Sequence, residues 1–468
     1  MNVEQIYTKC LAQGAYYIES KGEAVVIDPL RETTPYLDRL QEDGAQIKYI
    51  FETHFHADFV SGHVDLAKRT GATIVFGPQA NPSFTFHSAK DQEVFKVGDL
   101  TIKVLHTPGH TMESTCYLLS DKSGKDLAVF TGDTLFIGDV GRPDLAQKAA
   151  SMTQEDLAGM LYDSLRNKVM TLGDDVVVYP AHGAGSACGK NMSSETSCTI
   201  GKQKRTNYAL RADMTKAEFV KELTDGLMPP PQYFGMNVSM NKTGYTPIDE
   251  VMVRGTKPLS LEVFSDLMNQ EEVLVLDTRN ASLFSEGFVP GSIFIGLEGQ
   301  FAPWVGALIP TDNQKLILIT EPGKEEETVQ RLARVGYDQV LGCLKGGFPS
   351  WLAADKGYET FERLSVSEFT QLDFEKECII DVRRPGEYQV SHLTMSQSLP
   401  LDYIKKNRAL YPSEKPFILH CAGGYRSVIA ASILKKNGIN NVRDLIGGYN
   451  ALPENSSLKS DFICPSNS

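Results

Sequence analysis

Cysteine is scarce in this chain: eight in 468 residues, at Cys10, Cys116, Cys188, Cys198, Cys343, Cys378, Cys421 and Cys464, with no CxxC pair among them. That spacing argues against a disulfide scaffold and a structural zinc knot, so reduced thiols are expected, each a small buried hydrophobe unless its neighbours say otherwise. Long apolar runs are missing too. None reaches the ~18 residues that a membrane helix needs. The start, MNVEQIYTKCLAQGAYYIES, lacks the basic head, apolar run and small-residue cleavage site of a signal peptide. Positive charge is outweighed, 46 Lys and Arg against 59 Asp and Glu, for a formal net charge of -13 at pH 7, which argues against a nucleic-acid polyanion as partner. A soluble cytoplasmic protein that engages neither nucleic acid nor membrane is the expectation.

At 468 residues the chain exceeds the roughly 250 to 300 residues at which single cores stop growing, so two or three domains are expected. To about residue 185, short β-rich runs end in polar loops: EAVVIDP, IKYIFETH, TIKVLHTPGH, LAVFTGD and DVVVYPAHG. Helical patterns lie between several of them, as in TTPYLDRLQEDG, with Pro35 in a first turn and Gly44 past the end. The proline cluster that begins at Pro229 reads as a semi-rigid connector. Beyond it the chain repeats itself: VLVLDTRN parallels CIIDVRRP, KLILIT parallels PFILHC, and LKGGFPSW parallels LIGGYNAL. Apolar strands alternating with helical stretches such as ETVQRLARVG and RSVIAASILKKNG imply parallel sheets flanked by helices. The domain limits so read are 1–250, 256–357 and 363–460, all of α/β class.

Chemistry collects at the strand ends of the first domain. His54, His56 and Asp58 follow one apolar run as THFHAD, His110 stands in TPGHT, Asp133 in TGDT and His182 in PAHG. A lone histidine is most often just a satisfied side chain, but six potential ligands at equivalent places in a strand-loop pattern point to a metal. The four motifs resemble those of the metallo-β-lactamase superfamily, whose αββα sandwich is the fold the resemblance implies. Its usual first motif, H-x-H-x-D-H, ends here in Phe59, which cannot ligate, so a second metal is not expected. Two histidines and one carboxylate with open positions suit ferrous iron that activates oxygen.

Similarity to the persulfide dioxygenases of this superfamily narrows the set to His54, His110 and Asp133, with His56, Asp58 and His182 orienting ligands and waters. In GDVGRPDL, similar to a substrate loop of these enzymes, Arg142 has a planar fork suited to a substrate carboxylate. Cys198, in SSETSCTIGKQ, falls in a segment that in relatives approaches the metal pocket, and it is a candidate sulfur carrier or a passive thiol.

A second site is written in HCAGGYRS. Cys421 follows an apolar strand and precedes a helix, where successive backbone N–H groups and the helix N-terminus stabilise a thiolate. Gly423 and Gly424 let the backbone curl around it, Ala422, Tyr425 and Ser427 complete the loop, and Arg426 adds a cation. The pattern resembles the active loop of rhodaneses. In the first copy the aligned loop is TEPGKEEE, with Thr320 in place of Cys421 and Glu325 in place of Arg426; a hydroxyl cannot carry a sulfane sulfur, so that copy is expected to be catalytically silent. Cys343 and Trp351 in it read as packing residues.

The combination implies a metallo-β-lactamase-fold domain followed by two rhodanese-like domains. The resemblance implies a dioxygenase that takes a low-molecular-weight thiol persulfide and O2 at one Fe(II), and a sulfur transfer through Cys421 to sulfite. A homo-oligomer is expected. The alternatives are a dizinc thioester hydrolase of the glyoxalase II type and a non-enzymatic sulfane-sulfur carrier.

Overall fold

The computed structural model describes residues 2–145, 151–190, 192–227, 229–311, 313–454 and 456–461. Cys464 lies outside them. The chain divides into two compact units, Met1–Glu250 with Leu332–Gly336, and Val251–Arg331 with Tyr337–Ser468.

The first unit is built on two six-stranded sheets. One runs in order through Asn2–Thr8, Gln13–Ser20, Glu23–Ile27, Gln46–Glu52, Thr73–Phe76 and His87–Ser88. The first three strands pair antiparallel and the rest parallel. The other sheet orders Cys198–Thr199, Val177–Pro180, Asp126–Gly132, Thr115–Ser120, Leu100–His106 and Val94–Val97. Tyr16, Val25, Ile27 and Phe51 of the first sheet pack with Ile102, Val104, Tyr117 and Phe130 of the second in one buried cluster. Each such side chain contributes about 1.5–3 kcal/mol when fully buried. The outer faces are covered as well: Ala15, Tyr17 and Ile50 meet Tyr36 and Leu66 from two helices, while Leu118, Val129 and Val178 meet Ala158 and Leu161 of the helix Gln154–Ser164 and Leu165 just after it. Helix, sheet, sheet and helix layers result.

Local signals act as physical chemistry requires. The helix Thr34–Asp43 carries Pro35 in its first turn and ends at Gly44, whose left-handed backbone (φ 59°) lets its N–H reach the Leu40 carbonyl. The strands Gln46–Glu52, Leu100–His106, Asp126–Gly132 and Val177–Pro180 each stop within a few residues of a candidate ligand.

In the second unit two five-stranded, all-parallel sheets have the same order. The first is Pro258–Leu259, Val340–Leu344, Lys315–Ile319, Val273–Asp277, Ile293–Phe294; the second is Glu362–Leu364, Val442–Leu445, Phe417–His420, Ile379–Asp381, Ser396–Ser398. Strands buried on both faces, such as Val273–Asp277, explain the near-continuous apolar runs. The duplication extends to side chains. Arg279 clamps Asp277 and lies 4.3 Å over the Phe348 ring, and Arg383 clamps Asp381 and lies 4.2 Å over Tyr449. Among the described residues no helix is long and apolar enough to cross a membrane.

Candidate functional site

Six strand-end residues converge in the first unit as two sets of three. His54, His110 and Asp133 bring one donor atom each within 4.8 Å of one another, and so do His56, Asp58 and His182; all six are buried. His54 and His110 meet edge to face, ring centroids 4.9 Å apart.

Hydrogen bonds decide which nitrogen each imidazole offers. The Thr53 hydroxyl donates to Oδ2 of Asp28 at 2.8 Å, so its oxygen accepts from Nδ1–H of His54 at 3.0 Å and the lone pair of His54 falls on Nε2. Nδ1–H of His110 donates to the Arg142 carbonyl at 2.8 Å, which likewise leaves Nε2 as acceptor. Those two Nε2 atoms lie 3.8 and 3.4 Å from Oδ2 of Asp133. Neither Nε2 of His110 nor either oxygen of Asp133 makes a hydrogen bond, although all three atoms are buried. Buried lone-pair atoms left without a partner in this way are costly unless a cation satisfies them, and two imidazoles with one carboxylate suit a first-row divalent metal. Burial, with His56, His110 and His182 nearby, holds His54 well below the usual imidazole range, which keeps it a neutral ligand.

His56 faces two carboxylates, although neither of its ring nitrogens, nor either of those of His182, makes a hydrogen bond. Nε2 of His56 lies 3.1 Å from Oδ1 of Asp28 and 3.4 Å from Oε2 of Glu52. Against the burial that penalises its charge, those carboxylates hold His56 well above the ordinary range. Glu52 also takes His63 at 3.2 Å and the Ser61 hydroxyl. Phe59 is fully buried with its ring 4.3 Å from that of His56.

The backbone of this loop is pinned by Asn241, whose amide donates to the carbonyls of His56 and Phe59, both at 2.8 Å, and accepts from the Ser61 N–H at 2.8 Å. Asn241 lies on the helix Phe234–Thr243, so the segment read as a connector continues into a helix that holds the metal loop. The glycine at 141 permits a close approach: a Cβ there would stand 2.1 Å from the Asp133 carbonyl and 2.9 Å from Nδ1 of His110.

The fork of Arg142 is taken by Asp144, at 2.6 and 2.7 Å, rather than standing open for a substrate carboxylate, and the residue reaches the site through its carbonyl. Cys198 sits on the edge strand Cys198–Thr199, its thiol donating to the Thr199 carbonyl at 3.6 Å and pushed up in pKa by burial; it belongs to none of the donor sets. Sequence reasoning passed over Cys188, which is buried with its sulfur within 4.8 Å of donor atoms of Asp133 and His182, and over Asp28 and Glu52. Asp28 carries the clearest retrospective signal: it ends EAVVID at a positive φ of 51°, an unusual conformation that clusters at functional sites.

In the second unit Cys421 is 1% exposed. The Gly424 N–H donates to its sulfur at 3.1 Å and the Ser427 hydroxyl at 3.5 Å. Gly424 adopts φ +82°, which aims that N–H inward, and the helix Arg426–Lys436 begins at once. Arg426 forms a bidentate pair with Glu387, at 2.6 and 2.7 Å, a partner that the sequence did not reveal. Tyr449 and Asn450 N–H groups hold the carbonyls of Cys421 and Ala422, an approach possible because a Cβ at 448 would stand 2.2 Å from the Cys421 carbonyl. In the first copy Gly347 takes the same position against Thr320, where the distance is 3.1 Å.

A profile of the metallo-β-lactamase superfamily matches residues 9–182, and a profile of the rhodanese-like domain matches 260–354 and 365–454. The human mitochondrial persulfide dioxygenase is 30% identical over 47% of this chain and 78% of its own length. A probable hydroxyacylglutathione hydrolase of Schizosaccharomyces pombe is 38% identical over 29% of the chain and 48% of its own length, and the hydrolase of Tolumonas auensis is 36% identical over 36% and 60%. The chain thus spans only about half to three fifths of those two hydrolases. A crystal structure of a metallo-β-lactamase from Staphylococcus aureus is similar over 74% of this chain and 98% of its own, with 29% identity and a TM-score of 0.65.

Proposed function

The chain belongs to the metallo-β-lactamase superfamily, extended by two rhodanese-like domains, and from that premise we propose that it is a persulfide dioxygenase with a sulfurtransferase module. The observation that carries the reading is the pair of carboxylates that His56 faces. His54, His110 and Asp133 form one set, while His56 turns to Asp28 and Glu52 and Phe59 stands where a further ligand would be needed for a second ion.

In this reading His54, His110 and Asp133 would hold one ferrous iron, which would supply the redox chemistry by which dioxygen oxidises the terminal sulfur of a thiol persulfide. The overall change is RSSH + O2 + H2O to RSH and sulfite with two protons. Thr53 and the Arg142 carbonyl fix the two imidazoles, so little reorganisation is left for the reaction itself. The buried surroundings of the site exclude bulk water.

Cys421 would then take a sulfane sulfur and pass it to sulfite, giving thiosulfate. The Gly424 N–H and Ser427 hydroxyl stabilise the thiolate before attack and after it leaves. Thr320 in the first copy has no such chemistry. Cys198 and Arg142 belong to the proposal as a candidate sulfur carrier and as the residue that orients His110. The hydrolase relatives support a rival in which zinc cleaves a glutathione thioester.

Oxygen uptake on adding glutathione persulfide, together with iron near one per chain, is the expected result; zinc near two per chain with thioester cleavage and no oxygen uptake would establish the rival.

A further inference from the structure

The first rhodanese-like copy lacks a thiol, yet it is part of the cavity in which Cys421 works. A cavity of about 400 Å³ is lined by Gln300 and Trp304 from the first copy and by Arg384, Glu387, Cys421 and Arg426 from the second. Both copies lie in one compact unit. The wall is fixed on either side: the Tyr425 hydroxyl donates to the Gly296 carbonyl at 2.7 Å, and the Phe294 N–H donates to the Ser432 hydroxyl at 3.0 Å. Trp304 is 4% exposed, on the helix Phe301–Leu308.

Volume and charge both bear on what enters. An inorganic anion of four or five heavy atoms fills on the order of 100 Å³, taking a water as ~30 Å³, whereas pockets of roughly 300 Å³ upward take organic ligands. Arg426, which lines the cavity, is paired with both oxygens of Glu387. Arg384 remains, its side chain 59% exposed, 3.7 Å from an Asp402 oxygen and with its guanidinium 5.9 Å over the Trp304 ring. A loosely paired, exposed cation beside an aromatic face matches a carboxylate attached to a carbon skeleton better than a compact dianion.

We propose that the silent copy supplies the specificity wall of the Cys421 site, with Gln300 and Trp304 holding the skeleton and Arg384 the carboxylate of an organic thiol persulfide, which is preferred over thiosulfate as sulfur donor. The proposal rests on the reading of Cys421 as a sulfur-transfer residue. In the step itself the Cys421 thiolate attacks the outer sulfur of RS–SH. The new Cys–S bond forms as the RS–S bond breaks, the electron pair leaves on RS⁻, and the proton stays on the new Cys421 persulfide. Sulfite then attacks that outer sulfur, displacing the thiolate and releasing thiosulfate and the proton.

The test uses the full chain without oxygen, so that only transfer is read, and follows the rate of sulfur loading at Cys421 by peptide mass spectrometry. Donors are glutathione persulfide, the carboxylate-free 2-hydroxyethyl persulfide, and thiosulfate. Trp304→Ala should lower the rate ratio of glutathione persulfide to thiosulfate about tenfold, the equivalent of one lost contact, with Trp304→Phe retaining most of it. Arg384→Ala, at an exposed side chain, should bring glutathione persulfide down to the rate of the carboxylate-free donor. Equal losses for all donors, or no change in either ratio, would overturn the proposal. If no donor loads Cys421 in the unsubstituted chain, the transfer reading itself falls and this inference with it.

Discussion

Nε2 of His182 lies 3.6 Å from Oδ1 of Asp133. The other oxygen of that carboxylate faces His54 and His110, so Asp133 stands between two environments. His182 is shared in turn with Asp58, 3.4 Å away. An imidazole placed between two carboxylates can steer Asp133, and in the proposed reading that is the role of His182, with His54 and His110 as the ligands.

His110→Ala and Asp133→Ala should therefore empty the centre, whereas His182→Ala should keep iron with affinity weakened about 10- to 100-fold, the usual effect of removing an orienting partner. Iron content of the purified variants and competition with a chelator measure both. Equal loss of iron in all three variants would place His182 among the ligands.

Metal-free protein should show a particular pH response. Burial would lower the pKa of His182, but Asp58 and Asp133 overcome it and raise it from 6.5 to about 9. The folded state thus binds this proton more tightly than the unfolded chain. The resulting stability is fully present below about 6.5 and is lost as pH rises through about 9. Thermal midpoints of chelator-treated protein should fall across that window, and His182→Asn should flatten the fall. A midpoint that climbs across the window would contradict the assignment.

Phe59→His restores the missing imidazole beside His182, whose ring centroid is 6.4 Å from that of Phe59. With Asp58, His182 and Asp133 already buried nearby, metal content should rise toward two per chain, while oxygen uptake with glutathione persulfide should fall. Elemental analysis and an oxygen electrode decide the outcome. Replacing a buried apolar ring with imidazole will also cost stability, on the order of 1–3 kcal/mol, which a melting curve separates from metal gain.

The candidate ligands could be picked out because each follows its own apolar run, and a strand end is a fixed point in a sheet. The doubled α/β half was legible because Asp277 and Arg279 recur as Asp381 and Arg383 at the same strand ends. What holds the ligands was not. Asn241 reaches the Phe59 carbonyl across 182 residues of sequence, and Glu387 meets Arg426 across 39, distances over which no periodicity or spacing carries information. Asp28 and Glu52 were visible as strand-end carboxylates, but nothing local says that a histidine will turn toward them. Cys188 lies in a glycine-rich loop whose path only the fold determines.

Asn241→Ala should test how far such remote support matters. It removes two donors to loop carbonyls and one acceptor for the Ser61 N–H, all buried, at a cost of about 1–3 kcal/mol for the groups left unpaired. The metal loop should loosen, seen as faster iron loss to a chelator at a temperature where the variant remains folded. Cys421-dependent sulfur loading, which belongs to the other compact unit, should be unaffected.

Thr320 offers the last prediction, because its backbone already matches that of Cys421. Both end equivalent strands, and both carbonyls are approached by the second glycine of a Gly-Gly pair. Thr320→Cys therefore places a thiol at the corresponding point of the first copy. The surroundings differ: Glu325, Glu326 and Glu327 form the first turn of the next helix, where the second copy has Arg426. Carboxylates there oppose a thiolate and repel an anionic sulfur donor. In a Cys421→Ser background, Thr320→Cys should load with sulfur at least about tenfold more slowly than native Cys421, the effect of roughly one pKa unit of thiolate destabilisation. Grafting the sequence of residues 420–427 onto 319–326 should recover part of that rate. If the single substitution loads as fast as Cys421, position alone makes the nucleophile, and the donors contributed by Gly424 and Ser427 are dispensable.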